Sequence, residues 1–217
     1  MLLAALPILV ELFTSEGCSS CPPADAVLAR LNEAQPVPEV RLLVLAEHVD
    51  YWDNLGWRDP FSQHLFTERQ ERYGSRIYTP QAMVDGHLDV LGSDQGGIER
   101  AAKSAAAEAH GAIAVARQGD TVRVAVTALP KHGPAQVYLA VVEDGLVSKV
   151  EKGENAGRTL PHAAVVRKLT QIGSIGPNEI SFHGEGRVAK DAAWKDPRVV
   201  VFVQDRDTAR VLAAGAP

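Results

Sequence analysis

The chain has no run of apolar residues approaching the roughly eighteen that a membrane-crossing helix needs, so no span is expected. It has no cationic patch either: 22 Lys and Arg are scattered among 27 Asp and Glu, for a net charge of −5. Without that electrostatic footprint neither nucleic acid nor anionic lipid is an expected partner. Cysteine is nearly absent, with two among 217 residues. A structural zinc site usually draws on four ligands, commonly two cysteine pairs, so the lack of a third cysteine argues against one. No metal site is assigned and no cofactor is expected. Repeats and low-complexity stretches are missing too. What remains is an ordinary packed composition, 46% hydrophobic and 23% charged, long enough for two domains or for one with a large appendage.

Both cysteines fall in one stretch, Glu11-Leu-Phe-Thr-Ser-Glu-Gly-Cys18-Ser-Ser-Cys21. The apolar Ile8-Leu-Val-Glu-Leu-Phe13 before them reads as a buried strand, and Ala24-Asp25-Ala-Val-Leu-Ala-Arg-Leu31 after them as a helix with Val27, Leu28 and Leu31 on one face. A strand, a Gly17 turn, C-x-x-C and a helix N-terminus can lower a cysteine pKa from about 8.5 to between about 3.5 and 7.5, because free N–H groups and the helix dipole favour a thiolate. Pro22-Pro23 weakens that effect. A regular helix through Ser19 would clash with the Pro23 ring, so the helix should start at about Cys21 or Pro22, with Cys18 on an irregular turn. A redox pair, a copper-type ligand pair and inert cysteines all remain open. A bridge across so short a loop constrains the unfolded chain little, which favours the redox reading over a purely structural one.

The N-terminal Met1-Leu-Leu-Ala-Ala-Leu6 resembles the tail of a signal-peptide h-region but lacks a basic n-region, so no complete export signal is read. Strands and helices then alternate: strands over 8–14 and 41–49, helices over 22–33 and 60–73, and a hairpin of 81–85 and 87–91 about the Asp85-Gly86 turn. A helix capped by Ser93-Asp94 should end at Gly111. Alternation of this kind implies α/β architecture. Past Gly111 the period switches to two, with strands at 112–117, 121–127, 136–143, 163–172, 179–183 and 199–204, which suggests a β-sandwich. Domains over 1–110 and 111–217 follow. Lys152-Gly-Glu-Asn-Ala-Gly-Arg-Thr-Leu160 is a polar loop of a length that often serves binding.

Five segments together resemble a bacterial secreted family known as domain of unknown function 1223: Val10 to Asp25, His48-Val-Asp-Tyr-Trp-Asp53, Gly56-Trp-Arg-Asp-Pro-Phe61, Tyr78-Thr-Pro-Gln81 and Gly153 to Leu160. The resemblance implies a thioredoxin-like N-terminal half, a β-rich addition and a periplasmic or secreted location, although the chain's own start leaves a cytoplasmic one open. In the wider thioredoxin-like superfamily a cis-proline sits beside the C-x-x-C, where its neighbour's backbone pairs with an extended substrate. Thr79-Pro80 fits that place, and Tyr78 would then contact substrate.

Glu11 is a further candidate. It faces away from Val10 and Leu12, and a carboxyl desolvated beneath the cysteines would have a raised pKa and could take a proton from Cys21. His48, Trp52 and Trp57 lie where α/β sites gather, beyond a strand's C-terminal end, and suggest a lid or docking surface. The expected chemistry is thiol–disulfide exchange on a protein or small-molecule substrate, with Cys18 as the more exposed, attacking thiolate and Cys21 resolving the mixed disulfide. The alternatives are a copper metallochaperone using Cys18, Cys21 and His48, since soft thiolates select Cu(I), or an envelope-binding module whose cysteines form an inert bridge. Substrate, redox direction and oligomeric state are not legible.

Overall fold

The computed structural model describes residues 5–74, 76–188, 191 and 193–217; Met1 to Ala4 of the apolar N-terminal segment lie outside the described residues. The first half runs β1 (Leu6–Thr14), α1 (Pro22–Ala34), β2 (Val40–His48), a 3-10 turn at Asp53–Leu55, α2 (His64–Arg72), β3 (Gln81–Val84), β4 (Leu88–Leu91) and α3 (Gln95–Ala105). The second half is β5 (Ala112–Gln118), β6 (Thr121–Thr127), β7 (Ala135–Glu143), β8 (Leu146–Lys149), β9 (Thr159–His162), β10 (Val165–Ile175), β11 (Phe182–Arg187), β12 (Arg198–Asp205) and β13 (Val211–Gly215).

Local chemistry accounts for the element ends. Pro22 and Pro23 occupy the first positions of α1, where a missing N–H breaks no helical bond, and the helix stops at a left-handed Gln35. α2 begins later than its apolar spacing suggests. Asp59 holds the preceding chain in a turn, its side chain accepting the Phe61 N–H at 2.9 Å and its carbonyl the Ser62 hydroxyl. α3 carries the expected Asp94 cap, which accepts the Gly97 N–H at 2.8 Å. It ends short of Gly111 because His110 turns back to Asp85 at 2.9 Å and the Gly111 N–H reaches the Leu212 carbonyl at 2.8 Å.

The expected thioredoxin-like α/β domain followed by a separate β-sandwich is corrected by the sheet order. One mixed eight-stranded sheet, β13-β12-β7-β10-β2-β1-β3-β4, runs through both halves of the chain. β10 joins β2 in parallel through Val165 and Ala46, while β7 and β12 pair antiparallel beyond it. The cause lies in burial. β7 and β12 are apolar almost throughout, and such strands need cover on both faces, which the two core clusters on opposite sides of the large sheet supply. Only β5, β6 and β11 form a separate three-stranded layer, in which β6 alternates Val122, Val124 and Val126 inward. That layer packs on Val137, Leu139, Val141, Val199, Val201 and Val203.

The sheet curls enough for its far ends to meet, since the Val211 N–H of edge strand β13 bonds the Asp85 carbonyl after β3 at 3.0 Å. Inside the curl, α2 delivers Arg69 to a buried charged cluster. Its Nε lies 2.5 Å from Glu11 and 3.5 Å from Glu47, its Nη1 donates to Gln204 at 3.1 Å, and it stacks over Tyr138 and Phe202. The Tyr73 hydroxyl donates to the other Glu11 oxygen. Burial pushes the Glu47 carboxyl well above its ordinary range, neighbouring Glu11 adds to the rise, and Arg69 offsets part of it.

A candidate site around the Cys18–Cys21 disulfide

Cys18 and Cys21 are joined by a disulfide in the turn between β1 and α1. The turn is tight. The Cys18 N–H bonds the Ser15 carbonyl and the Cys21 N–H bonds the Cys18 carbonyl, each at 3.2 Å. Gly17 is required by close approach, because a Cβ there would stand 3.0 Å from Trp52 Cβ and 3.3 Å from the Trp52 carbonyl. Cys18 Sγ lies 3.9 Å from the Thr79 carbonyl oxygen and 3.3 Å from Ser20 Oγ. The Thr79–Pro80 peptide is cis. Trp52 bridges the two loops, its indole N–H donating to Thr79 Oγ1 at 2.8 Å.

Neither sulfur is open to solvent, with Cys18 1% and Cys21 0% exposed, whereas Ser19 and Ser20 are exposed. The expected exposure of Cys18 is therefore not found in the disulfide form. Part of the closure comes from the loop between β8 and β9. Buried Asn155 donates through Nδ2 to the carbonyls of Glu16 at 2.8 Å and Cys18 at 2.9 Å. Glu154 Oε2 accepts the Ser19 N–H at 3.0 Å. Gly153, at φ +79°, lets the loop pass Trp57, whose Cβ would be 3.3 Å from any Cβ placed there.

Behind the disulfide is a buried polar chamber. The Glu16 carboxylate accepts the Trp57 indole N–H at 2.7 Å and meets His162 Nε2 at 2.9 Å. The Glu16 N–H donates to Asp59, which also holds His48 Nδ1 at 2.7 Å. His48 packs edge-on against Phe61 and His162. Burial alone would lower the His48 pKa, but Asp59, then Asp25 and Glu16, outweigh it and raise it. The His48 Nε2 atom has no hydrogen-bond partner among the described residues. Asp25 faces the same chamber from α1, one turn after Cys21, and accepts the Thr14 hydroxyl at 2.8 Å. Burial raises the Asp25 pKa against the pull of His48 and His162.

The structure thus gathers Cys18, Cys21, Thr79, Pro80 and Trp52 around the bridge and sets His48 and Trp57 in the chamber behind it. Tyr78 directs its hydroxyl to Asp89 at 2.7 Å. Glu11 is elsewhere. Alternate residues of a strand face opposite sides of a sheet, and Glu11 and Phe13 meet Arg69 and Tyr73 of α2 while Thr14 meets Asp25 of α1. Sequence reasoning assigned no role to Asp25, Glu16, Asp59, Asn155 or His162. Asp25 and Glu16 lie in the Val10 to Asp25 segment, Asp59 in Gly56 to Phe61 and Asn155 in the Gly153 to Leu160 loop, while His162 lies outside all of the family segments. No group of three or more His, Cys, Asp or Glu is placed to hold a metal ion among the described residues. None of the described helices is long and apolar enough to cross a membrane.

The model of one protein family, described as protein of unknown function (DUF1223), matches residues 9–204. A crystal structure of protein AGR_C_4864 from Agrobacterium tumefaciens, a structural-genomics target, is similar at 27% identity, covering 99% of this chain and 95% of that one with a TM-score of 0.79. No curated protein matches the chain.

Proposed function

Since the chain belongs to the DUF1223 family of proteins of unknown function, its chemistry has to be read from the site, and we propose thiol–disulfide exchange at Cys18 and Cys21 on a protein or small-molecule thiol or disulfide. The observation that supports it best is the seating of the Cys18 sulfur 3.9 Å from the Thr79 carbonyl, under a turn whose Ser19 and Ser20 face solvent. An inert cross-link between residues three apart adds little to stability and would need no such setting. A disulfide as the resting form fits an oxidising compartment, such as the periplasm.

Exchange from the disulfide form starts when a substrate thiolate attacks Cys18 Sγ. The Cys18–Cys21 bond breaks, its electron pair leaves on Cys21, and Cys21 takes up a proton. A second substrate thiolate then attacks the substrate sulfur of the mixed disulfide. Cys18 leaves as a thiolate and is protonated in turn, so two electrons and two protons pass from substrate to protein. The reverse sequence reduces a substrate disulfide. Asp25, one helical turn after Cys21 and raised in pKa by burial, serves as the proton carrier. Trp52 and Trp57 both spend their indole N–H groups inside the protein, on Thr79 and Glu16, and so position the loops around the sulfur. Thr79 and Pro80 supply the backbone against which an extended substrate lies.

The test is turnover of an insulin or glutathione-linked disulfide assay by the full chain. Cys18→Ser should abolish turnover and leave the circular dichroism spectrum unchanged. Equal turnover by wild type and Cys18→Ser, or none by wild type after full reduction, would sink the assignment.

A further inference from the structure

The redox direction of the pair can be read from what surrounds Cys18, and the inference rests on the exchange chemistry proposed above. Strongly oxidising C-x-x-C pairs owe their potential to a stabilised thiolate in the reduced form, usually through free N–H groups and the dipole of the following helix. Here most of those donors are missing or taken. Pro22 and Pro23 have no N–H to give. The Cys21 N–H bonds the Cys18 carbonyl at 3.2 Å, and the Ala24 and Asp25 N–H groups bond the Cys21 carbonyl at 2.8 and 3.0 Å. The Ser19 N–H, next to Cys18 itself, is occupied by the Glu154 carboxylate at 3.0 Å. That hydrogen bond holds the Glu154 carboxyl below its ordinary range, so it is charged at neutral pH.

The remaining neighbours divide. The Thr79 carbonyl oxygen, 3.9 Å from Cys18 Sγ, is an acceptor that suits an S–H group and repels a thiolate. Ser20 Oγ at 3.3 Å is a neutral donor that works in the opposite sense. Among the charged groups packed around the loop, Glu16 is tied to His162 and Trp57 and His48 to Asp59, while Arg158 donates to the neutral Asn155 side chain and keeps its positive charge, which works in favour of a thiolate. Asp25, in the first turn of α1, opposes the helix dipole only in its ionised form, which burial disfavours. Glu154 is thus the charge in direct contact with the Cys18 turn.

We propose that Glu154, together with the Thr79 carbonyl and the occupied N–H groups, disfavours the Cys18 thiolate in the reduced form, so that the pair favours its disulfide and acts as a donor of electrons to substrate disulfides. In that direction Cys18 loses its proton and attacks a substrate sulfur, and the departing substrate thiolate takes up a proton. Cys21 then loses its proton and attacks Cys18 Sγ, which releases the second substrate thiol and restores the bridge. Two electrons and two protons leave the pair, and a thiol reductant of the glutathione or dithiol class must replenish them.

Glu154→Gln tests this while keeping an acceptor for the Ser19 N–H. In a reduced Cys21→Ser background only Cys18 absorbs as a thiolate on titration. Its midpoint should lie at or above the roughly 8.5 of a free cysteine, and Glu154→Gln should lower it by about half a unit to one unit. The shift should shrink in 1 M salt, as a charge effect must and a structural one need not. In the two-cysteine protein, the same substitution should move the equilibrium with glutathione toward the reduced form by about threefold to tenfold near pH 9.5, where the thiolate is populated, and by less than about twofold at pH 7. A wild-type midpoint below about 7, an unmoved midpoint in Glu154→Gln, or a shift insensitive to salt would each overturn the proposal. Loss of substrate turnover alone would strike the exchange assignment instead, because the titration reads Cys18 whether or not a substrate is accepted.

Discussion

Glu47 sits wholly buried near the end of β2, 3.5 Å from the Arg69 guanidinium, and first burial and then neighbouring Glu11 raise its carboxyl well above the ordinary 4.5. Its oxygens have no hydrogen-bond donor among the described residues. A proton on Glu47 removes a buried charge and supplies a donor for Glu11 where two carboxylates would otherwise repel. The consequence for stability has a definite sign. The folded chain holds this proton more tightly than the unfolded chain, so its contribution is complete below the unfolded pKa and is lost as pH rises through the folded one. Glu47→Gln cannot ionise and keeps a donor. Relative to wild type it should therefore gain stability steadily above about pH 4.5, by at most about 1.4 kcal/mol per pH unit until the folded pKa is passed. Urea unfolding of both proteins at several pH values between about 4.5 and 8 reads this directly. Parallel stability curves would show that Glu47 carries its charge in the folded state.

Among the elements, the loop between β8 and β9 governs access to the disulfide. Asn155 holds the Glu16 and Cys18 carbonyls at 2.8 and 2.9 Å, and each such bond is worth about 0.5 to 1.5 kcal/mol net. Asn155→Ala should therefore let the Cys18 turn open more often and speed reduction of the bridge by dithiothreitol, on the order of tenfold. Stopped-flow reduction followed by Trp fluorescence checks it, and an unchanged rate would mean that the loop does not limit access. The short-range part of this arrangement is legible in the chain. Ile8 to Phe13 and Arg41 to Val49 announce β1 and β2, the Asp85-Gly86 turn announces the β3–β4 hairpin, and the alternating valines announce β6, because each signal is complete within about ten residues. Its partners are not legible in the same way. His162 and Glu16 meet across 146 positions and Asn155 and Cys18 across 137, and periodicity carries no information on such pairings. β8, β9 and β13 are not legible for a different reason: at 4, 4 and 5 residues they are too short to show a period, although β8 pairs with β9 and β13 with the preceding β12. Alternation puts Glu11 on the face opposite to Val10 and Leu12, and only the packed structure shows α2 on that face and α1, with Asp25, on the other.

At the scale of the whole molecule, the decisive fact is where the later strands go. Apolar runs such as Gln136 to Glu143 and Val199 to Gln204 suit a sandwich or the interior of a mixed sheet equally well, and the parallel β2–β10 pairing settles the matter. The first half is then incomplete without the second. The Ala46 N–H of β2 bonds the Ala164 carbonyl at 2.7 Å, and Arg69 depends on Gln204, Tyr138 and Phe202 for neighbours that its Glu11 and Tyr73 contacts do not replace. Cutting the chain after residue 110 would expose one side of β2 as an unpaired edge and leave the Arg69 cluster open to water. The chain should consequently unfold as one unit. Thermal melts followed by far-ultraviolet dichroism, by Trp fluorescence from the Trp52 and Trp57 region and by calorimetry should coincide, with equal calorimetric and van 't Hoff enthalpies. A fragment of residues 1–110 should lack the near-ultraviolet dichroism of the full chain and unfold without a cooperative transition. Two separated transitions, or a fragment with a native-like melt, would mean that the shared sheet is held together more weakly than its continuous pairing implies and that each half supplies its own core.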